Sequence, residues 1–132
     1  MTKKHIIANC SEQIKAACQA IGAHLETVKI QFRYREKTVV VYSYKDRNEC
    51  ALEIKFENAT LNCLFDYNNI CIGTFLFLDD PNDISHYIEY CKQACRYDYF
   101  LHVWITNSCY IEIHSINERC NLLIFPIRSD NL

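Results

Sequence analysis

Residues 70–78 read Ile-Cys-Ile-Gly-Thr-Phe-Leu-Phe-Leu, and this stretch decides the fold. It has the length of one β-strand, and it is apolar on both of the faces that a strand presents. A strand of this composition lies inside a sheet, where both faces are covered or where one face meets a partner. We therefore predict that residues 70–78 form a central strand.

Four further segments with the character of strands precede this one. The first of them alternates apolar with polar or basic side chains along its whole length, as a half-buried strand does. Asn68-Asn69 lies directly before the central strand and can supply the positive φ angles of a tight hairpin turn. The pattern therefore predicts consecutive antiparallel strands. The four segments are residues 27–35, 37–45, 50–57 and 60–66.

Two segments have the period of an amphipathic helix. The first covers residues 10–21, with Asn9 at its predicted N-cap and Gly22 at its end. The second begins at Asp80-Pro81, because aspartate is a good cap and proline fits the first helical position. The apolar stripes are Ile14, Ala17, Cys18 and Ile21 in the first helix and Ile84, Tyr87, Ile88, Cys91 and Cys95 in the second.

Three closing strands, at residues 99–106, 110–115 and 121–127, complete the pattern. The element order is therefore α-β-β-β-β-β-α-β-β-β, which predicts an α+β fold with an antiparallel sheet. We expect two helices packed on one face of this sheet. At 132 residues the chain is long enough for one domain and short for two, so residues 1–132 are expected to form a single α+β domain.

The composition excludes several classes of protein. Half of the residues are apolar, and there are two glycines and two prolines, so we expect a sizeable core and no disorder. No stretch approaches the ~20 apolar residues of a membrane-spanning helix. The apolar run Ile6-Ile7-Ala8 ends at once in Asn9, which is too early for a signal peptide. With so few glycines, a phosphate-cradling loop is also excluded.

Nine cysteines form no C-x-x-C pair and no zinc-finger spacing with histidine. Their number is odd and no export signal is present, which argues against a disulfide framework. Most of them stand where a small apolar residue is expected, and free cysteine behaves as a small buried hydrophobe. We therefore predict reduced core cysteines and a cytoplasmic, bacterial protein.

Charge is divided unevenly along the chain. Residues 1–47 carry nine basic and four acidic side chains, whereas residues 48–132 carry five basic and twelve acidic ones. Opposed charges on one folded domain can orient a charged partner before contact. The division therefore favours a binding function. Because the pI of the whole chain is about 6.2, the electrostatic support for nucleic acid as that partner is weak.

The last predicted hairpin contains a cluster of aromatic, histidine and acidic side chains. We expect a three-residue loop at 107–109, because that register pairs apolar residues across the two strands. It places Trp104 opposite Glu112 and His102 opposite His114 on one face. Such a face is typical of protein interfaces; plain packing and a shared metal are the alternatives. The members of the cluster are His102, Trp104, Tyr110, Glu112 and His114.

A second candidate interface is acidic. Asp79, Asp80 and Asp83 surround the start of the second helix, where carboxylates interact favourably with the helix dipole. Glu89 follows on the same helix. Capping and solubility account for these residues, and the functional alternative is an acidic docking site for a basic partner.

Two other constellations are weaker. On the first predicted hairpin, Lys29, Arg33 and Arg35 stand beside Tyr42 and Tyr44, a mixture that binds single-stranded nucleic acid or makes ordinary cation–π contacts. Some cysteines could act as nucleophiles, but no motif supplies the base and the oxyanion donors that a thiol enzyme needs. These cysteines are Cys91, Cys95 and Cys109.

Together the observations favour a small, non-enzymatic protein-binding module. The specific hypothesis is an immunity protein that neutralises a toxin domain, with a nuclease-like toxin as the partner of the acidic residues. We expect no cofactor, no bound metal, no catalytic residue, and neither a membrane nor a nucleic acid as partner. One alternative is a secretion-type chaperone that holds an extended client segment and forms a homodimer. The other is a small enzyme that uses a metal or a thiol.

Overall fold

A computed structural model describes residues 3–44, 47–116 and 119–127. Within these ranges, two helices and four strands are followed by one helix and four strands. The helices are α1 (Lys3–Ala20), α2 (Leu25–Gln31) and α3 (Ile84–Ala94), and a 3-10 turn at Pro81–Asp83 precedes α3. The strands are β1 (Lys37–Tyr44), β2 (Arg47–Lys55), β3 (Ala59–Phe65), β4 (Cys71–Leu78), β5 (Arg96–Asp98), β6 (Val103–Ile105), β7 (Cys109–Ile116) and β8 (Arg119–Pro126).

The eight described strands form one antiparallel sheet in the order β1-β2-β3-β4-β8-β7-β6-β5. β4 covers most of the stretch that is apolar on both faces, and it lies in the middle of this order. The α+β class, the antiparallel sheet and the central position of this strand are therefore confirmed. The described chain has three helices where the sequence predicted two.

The buried core is formed by side chains of the helices and of the sheet. α1 packs against β3, β4 and β8 and against α3, while α3 also contacts β5. Alternate residues of each strand supply the sheet side of the core, because every second side chain turns to the same face. No helix in the described ranges has the length and hydropathy needed to cross a membrane. The main core residues are Ile14 and Ala17 of α1, Tyr87 and Cys91 of α3, and Leu52, Ile54, Leu61, Cys63, Leu76, Ile111, Leu122 and Ile124 of the sheet.

The residues between these core positions form the other face of the sheet, which we call the outer face. Among the described residues, none of its phenylalanine, tyrosine or leucine side chains belongs to the buried core cluster. Phe77 is 41% exposed, and Ile72, the residue that a bulge inserts into β4, is 51% exposed. These outer-face side chains are Leu64, Phe75, Phe77, Tyr110, Leu123 and Phe125.

The prediction of a strand at residues 27–35 was wrong: the segment is helix α2 followed by a turn. His24 begins the helix, since its Nδ1 accepts a hydrogen bond from the Glu26 backbone N–H at 3.1 Å. Val28 and Phe32 are buried against the core, whereas Ile30 is 62% exposed. Residues four apart share a face in a helix and also in a strand, so the alternating pattern fitted both structures.

Two further boundaries differ from the sequence prediction. The predicted strand at 99–106 is an exposed turn followed by the short strand β6. α1 begins well before Asn9, so this residue lies inside the helix instead of at its N-cap. The left-handed conformation predicted for Gly22 is confirmed, because its φ angle is +86°.

Candidate functional site

The turn between β5 and β6 presents three consecutive apolar side chains to solvent. Tyr99 is 82% exposed, Phe100 is 96% exposed and Leu101 is 56% exposed. Single exposed apolar residues are common on protein surfaces, but contiguous ones mark sites of interaction. We call residues 99–102 the aromatic turn.

Hydrogen bonds to Asp98 fix the conformation of the aromatic turn. One carboxylate oxygen, Oδ1, accepts from the backbone N–H groups of Phe100 at 2.9 Å and Leu101 at 3.0 Å. The Asp98 carbonyl accepts from the N–H of His102 at 2.8 Å, and His102 has a φ angle of +56°. This is an Asx-type turn, in which a side chain replaces a backbone acceptor. The apolar side chains are therefore held outward by a defined backbone.

A row of three aromatic rings connects the turn to the core. The Tyr97 ring lies 5.0 Å from the Tyr99 ring and 4.8 Å from the Trp104 ring, both in edge-to-face arrangements. Trp104 in turn packs against the buried core cluster. Edge-to-face aromatic pairs contribute about 0.5–1.5 kcal/mol beyond the area they bury. The base of the turn is thus rigidly supported.

The predicted acidic residues lie where β4 leads into α3. Asp80 caps the 3-10 turn by accepting from the Asn82 N–H at 3.0 Å, and its carbonyl accepts from the Asp83 N–H at 3.0 Å. The Asp79 N–H bonds to the Asn58 carbonyl at 3.0 Å, which ties the β2–β3 turn to the end of β4. Glu89 lies further along α3 and is half-buried, away from this group in the chain.

The acidic group and the aromatic turn lie at the same end of the sheet. β2, β4 and β5 run in one direction, because an odd number of antiparallel strands separates each from the next. Their C-terminal ends therefore share one edge of the molecule, which we call the turn end. Neighbouring strands are about 4.8 Å apart, so the ends of β4 and β5 are separated by roughly 19 Å. Among the described residues, the acidic side chains of the turn end are Glu57, Asp79, Asp80, Asp83 and Asp98.

The predicted cluster on the last hairpin is divided by a different register. β6 and β7 pair Trp104 with Ile111 and Ile105 with Tyr110, one residue away from the prediction. The Thr106 N–H donates to the Cys109 carbonyl at 2.9 Å, so these residues pair and the loop contains only Asn107 and Ser108. The Thr106 hydroxyl also accepts from the Cys109 N–H at 2.9 Å and closes the loop. Trp104 therefore faces the core side of the sheet.

The remaining members of that cluster also separate into two sites. His102 belongs to the aromatic turn, while Tyr110, Glu112 and His114 stay together on the outer face. His114 Nε2 lies 3.0 Å from a carboxylate oxygen of Glu112, and the Tyr110 ring lies 5.4 Å from that of Phe125. Within the described residues, no three side chains of metal-ligating type converge.

A cleft of about 1070 Å³ between α1, α3 and the β6–β7 loop contains thiols. Its wall includes Cys18 and Cys95 beside the basic side chains of Lys15 and Arg96. A hydrogen bond between Cys18 and Cys109 lowers the pKa of the Cys109 thiol and raises that of Cys18. A thiol nucleophile needs a base, and the described wall contains no histidine or carboxylate.

The other cysteines are core residues. All nine are free thiols, and six of them are buried. Cys91 hydrogen-bonds to Cys95 one turn later on α3, and this contact raises the pKa of the Cys91 thiol. Such buried, uncharged thiols pack as small apolar side chains.

Two basic residues of the first predicted hairpin contact other aromatic rings. The Arg33 guanidinium lies 4.8 Å from the centre of the Tyr34 ring, and that of Arg35 lies 4.1 Å from the centre of the Phe56 ring. Both are the cation–π contacts named as the alternative to a nucleic-acid site. The side chains of Tyr42 and Tyr44 lie outside the described ones.

The aromatic turn is a candidate site that the sequence pattern did not predict. The pattern predicts a strand over residues 99–106, because Val103 and Ile105 alternate with His102, Trp104 and Thr106. The available signal was Asp98 followed by three apolar residues without alternation, since aspartate at that position can start an Asx-type turn.

Comparisons of the chain with protein-family models, with curated proteins and with solved structures found no match.

Proposed function

We propose that this chain is a non-enzymatic protein-binding module that acts as an immunity protein and closes off the active site of a toxin domain. The observation that carries the proposal is the aromatic turn, in which Phe100 is 96% exposed on a backbone fixed by Asp98. A preorganised apolar side chain loses little conformational entropy on binding. Phe100 therefore has the properties of an anchor that enters a pocket of the partner.

The acidic residues of the turn end support a partner with a basic surface. Five described carboxylates lie there, against two exposed basic side chains: Lys55 at the end of β2 and Arg119 at the start of β8. An enzyme that processes nucleic acid has a basic active site, because its substrate is a polyanion. Carboxylates opposite such a site accelerate association and favour the correct orientation.

The test uses a toxin domain encoded beside this protein in its source genome, with binding and toxin activity measured together. We expect Phe100→Ala to weaken binding by about 2 kcal/mol, roughly thirtyfold in Kd, and to restore toxin activity. Tyr34→Ala is the matched control, because Tyr34 is 89% exposed but lies on the turn after α2. Inhibition by Phe100→Ala equal to that of the unmodified protein would overturn the proposal.

A second pair of variants tests whether the fixed backbone matters. Asp98→Asn keeps a side-chain oxygen that can accept from the Phe100 and Leu101 N–H groups, whereas Asp98→Ala removes it. We expect Asp98→Asn to bind like the unmodified protein and Asp98→Ala to bind about tenfold more weakly. If both variants bind equally well, preorganisation of the turn is not part of the function.

The outer face favours a second candidate function, a chaperone that holds an extended client segment. The rings of Phe75 and Phe77 stack at 6.2 Å on this face, and Phe77 is partly exposed. Extended segments can bind along apolar sheet surfaces. Phe77→Ser would then abolish capture of an unfolded client, whereas Phe100→Ala would not, so the two functions are separable.

A further inference from the structure

β1 is an edge strand with little of the usual protection, since Lys37 at its start is its one charged residue. It pairs with β2 on one side, and no other described strand lies on its other side. Natural edge strands are usually short, or carry charges, proline or a bulge that prevent pairing with another chain. β1 has eight residues, its register with β2 is uninterrupted, and residues 38–44 carry no charge and no proline.

The free edge of β1 has apolar side chains and available backbone groups. Val39 is 44% exposed and Val41 is 64% exposed. The Glu36 carbonyl accepts from the Lys55 N–H at 3.1 Å, so even-numbered residues direct their backbone groups toward β2. Because these directions alternate along a strand, the N–H and C=O groups of Val39 and Val41 point away from the sheet.

We infer that β1 pairs with β1 of a second copy of this chain, antiparallel and about a two-fold axis at Val40. In this register Val39 lies opposite Val41 of the second copy, and the outward N–H and C=O groups of these residues can form the ladder. A two-fold axis perpendicular to the sheet is needed for antiparallel pairing of identical edges. It keeps the helices of both copies on one side and their outer faces on the other.

Strand length and charge favour this register over its neighbours. With the axis at Val39 only residues 37–41 of β1 would pair, whereas the axis at Val40 pairs residues 37–43. Each residue must face one on the same side of the sheet, so the register can shift only in steps that preserve the alternation. With the axis at Val41, Lys37 would lie opposite Lys45 of the second copy, and like charges directly opposite are destabilising. With the axis at Val40, Lys37 lies opposite Ser43 of the second copy. The uncharged run of β1 is therefore complementary to itself.

The dimer is expected to be reversible. One pair of strands buries less than the roughly 1,200 Å² at which specific, stable interfaces begin. The population of dimer should therefore rise with protein concentration over the micromolar to millimolar range. This inference does not involve the aromatic turn, and Phe100→Ala leaves the dimer unchanged.

The test is sedimentation velocity over a range of concentrations, with charge placed on the symmetry axis. Val40→Lys and Val40→Glu each put like-charged side chains directly opposite each other in a non-hydrogen-bonded pair, whose Cα atoms are about 4.5 Å apart, so each variant alone should be monomeric. An equal mixture of the two should recover the dimer, because Lys then lies opposite Glu. Tyr99→Lys, at the other side of the sheet, is the control and should dimerise normally.

Any result other than these overturns the inference that β1 forms the dimer. A monomer of the unmodified protein at every concentration means that β1 stays free or pairs with a different partner. A dimer that persists in both Val40 variants means that the interface lies elsewhere, and a mixture that stays monomeric excludes the axis at Val40. If a variant unfolds, hydrogen exchange of the unmodified protein decides, since the Val39 and Val41 amides must become protected as concentration rises.

Discussion

A closed set of three side-chain hydrogen bonds joins α1, the β2–β3 turn and α3. Gln13 Nε2 donates to Asn58 Oδ1 at 2.8 Å, Asn58 Nδ2 donates to the Tyr87 hydroxyl at 3.0 Å, and that hydroxyl donates to Gln13 Oε1. Gln13 is 4% exposed and Tyr87 is fully buried. Buried polar groups without partners are costly, so this set is stable only when all three members are present.

Removal of the Tyr87 hydroxyl should therefore destabilise the fold. Tyr87→Phe removes the partner of the buried Gln13 Oε1 and of the half-buried Asn58 Nδ2, and we expect the free energy of unfolding to fall by about 1–3 kcal/mol. Urea unfolding followed by circular dichroism measures the change. Tyr34→Phe removes the same hydroxyl from a side chain that is 89% exposed and should have no effect. Equal stability of both variants would contradict the role of the hydrogen-bonded set.

At the scale of elements, α2 shows how contacts with other segments select one of two local structures that the same sequence pattern fits. The Leu25 N–H bonds to the Asn69 carbonyl at 2.8 Å, and the Cys71 N–H bonds to the Ala23 carbonyl at 2.9 Å. These bonds fix the chain just before the helix begins. Val28 then packs into the core from the helix. Ile30, which would share its face in a strand, is exposed to solvent.

Two substitutions distinguish the helix from the strand that the alternation predicted. Val28 and Ile30 share a face in a strand but lie on opposite faces in a helix. Because Val28 is fully buried and Ile30 is 62% exposed, Val28→Ala should cost about 1–3 kcal/mol and Ile30→Ala less than about 0.5 kcal/mol. The measurement is urea unfolding of the two variants. Similar losses in both would favour a strand here.

For the whole molecule, the buried thiols link stability to pH. Burial raises the pKa of Cys10 from 9.0 to about 11 in the folded state. As pH rises through 9 the unfolded thiol loses its proton while the folded one keeps it, so the unfolded state binds fewer protons. Stability from this group is therefore complete below pH 9 and is lost as pH approaches 11.

The expected size of this effect is about 2–3 kcal/mol between pH 9 and pH 11. Cys10→Ala removes the thiol, so its free energy of unfolding should fall less steeply with pH than that of the unmodified protein. The other titrating groups are common to both proteins and cancel in the comparison, apart from Tyr87 and Cys91, whose pKa values Cys10 itself raises. Thermal or urea unfolding at a series of pH values measures the two slopes. Identical slopes would mean that the Cys10 thiol does not titrate differently in the two states.

Both the correct and the incorrect sequence predictions follow from the pattern of apolar side chains along each strand. β4 was predicted because its side chains are apolar on both faces, a property that few structures other than a central strand can satisfy. The candidate site was predicted less well: Asp79, Asp80 and Asp83 lie together, but Glu89 lies apart on α3, and Trp104 and His102 are separated from Tyr110. A change of one residue in loop length reverses every face along a strand, and one hydroxyl, that of Thr106, closes the shorter loop.

The amino-acid pattern by itself determined the α+β class, the central strand and the left-handed end of the first helix at Gly22, because these depend on side chains close together in the chain. Only the tertiary structure decided that residues 25–31 form a helix, that the last hairpin has a two-residue loop, and that residues 99–102 form an exposed turn. The physical reason is that several local conformations fit these segments almost equally well. Contacts with residues distant in the chain, and hydrogen bonds to individual side chains, select among them.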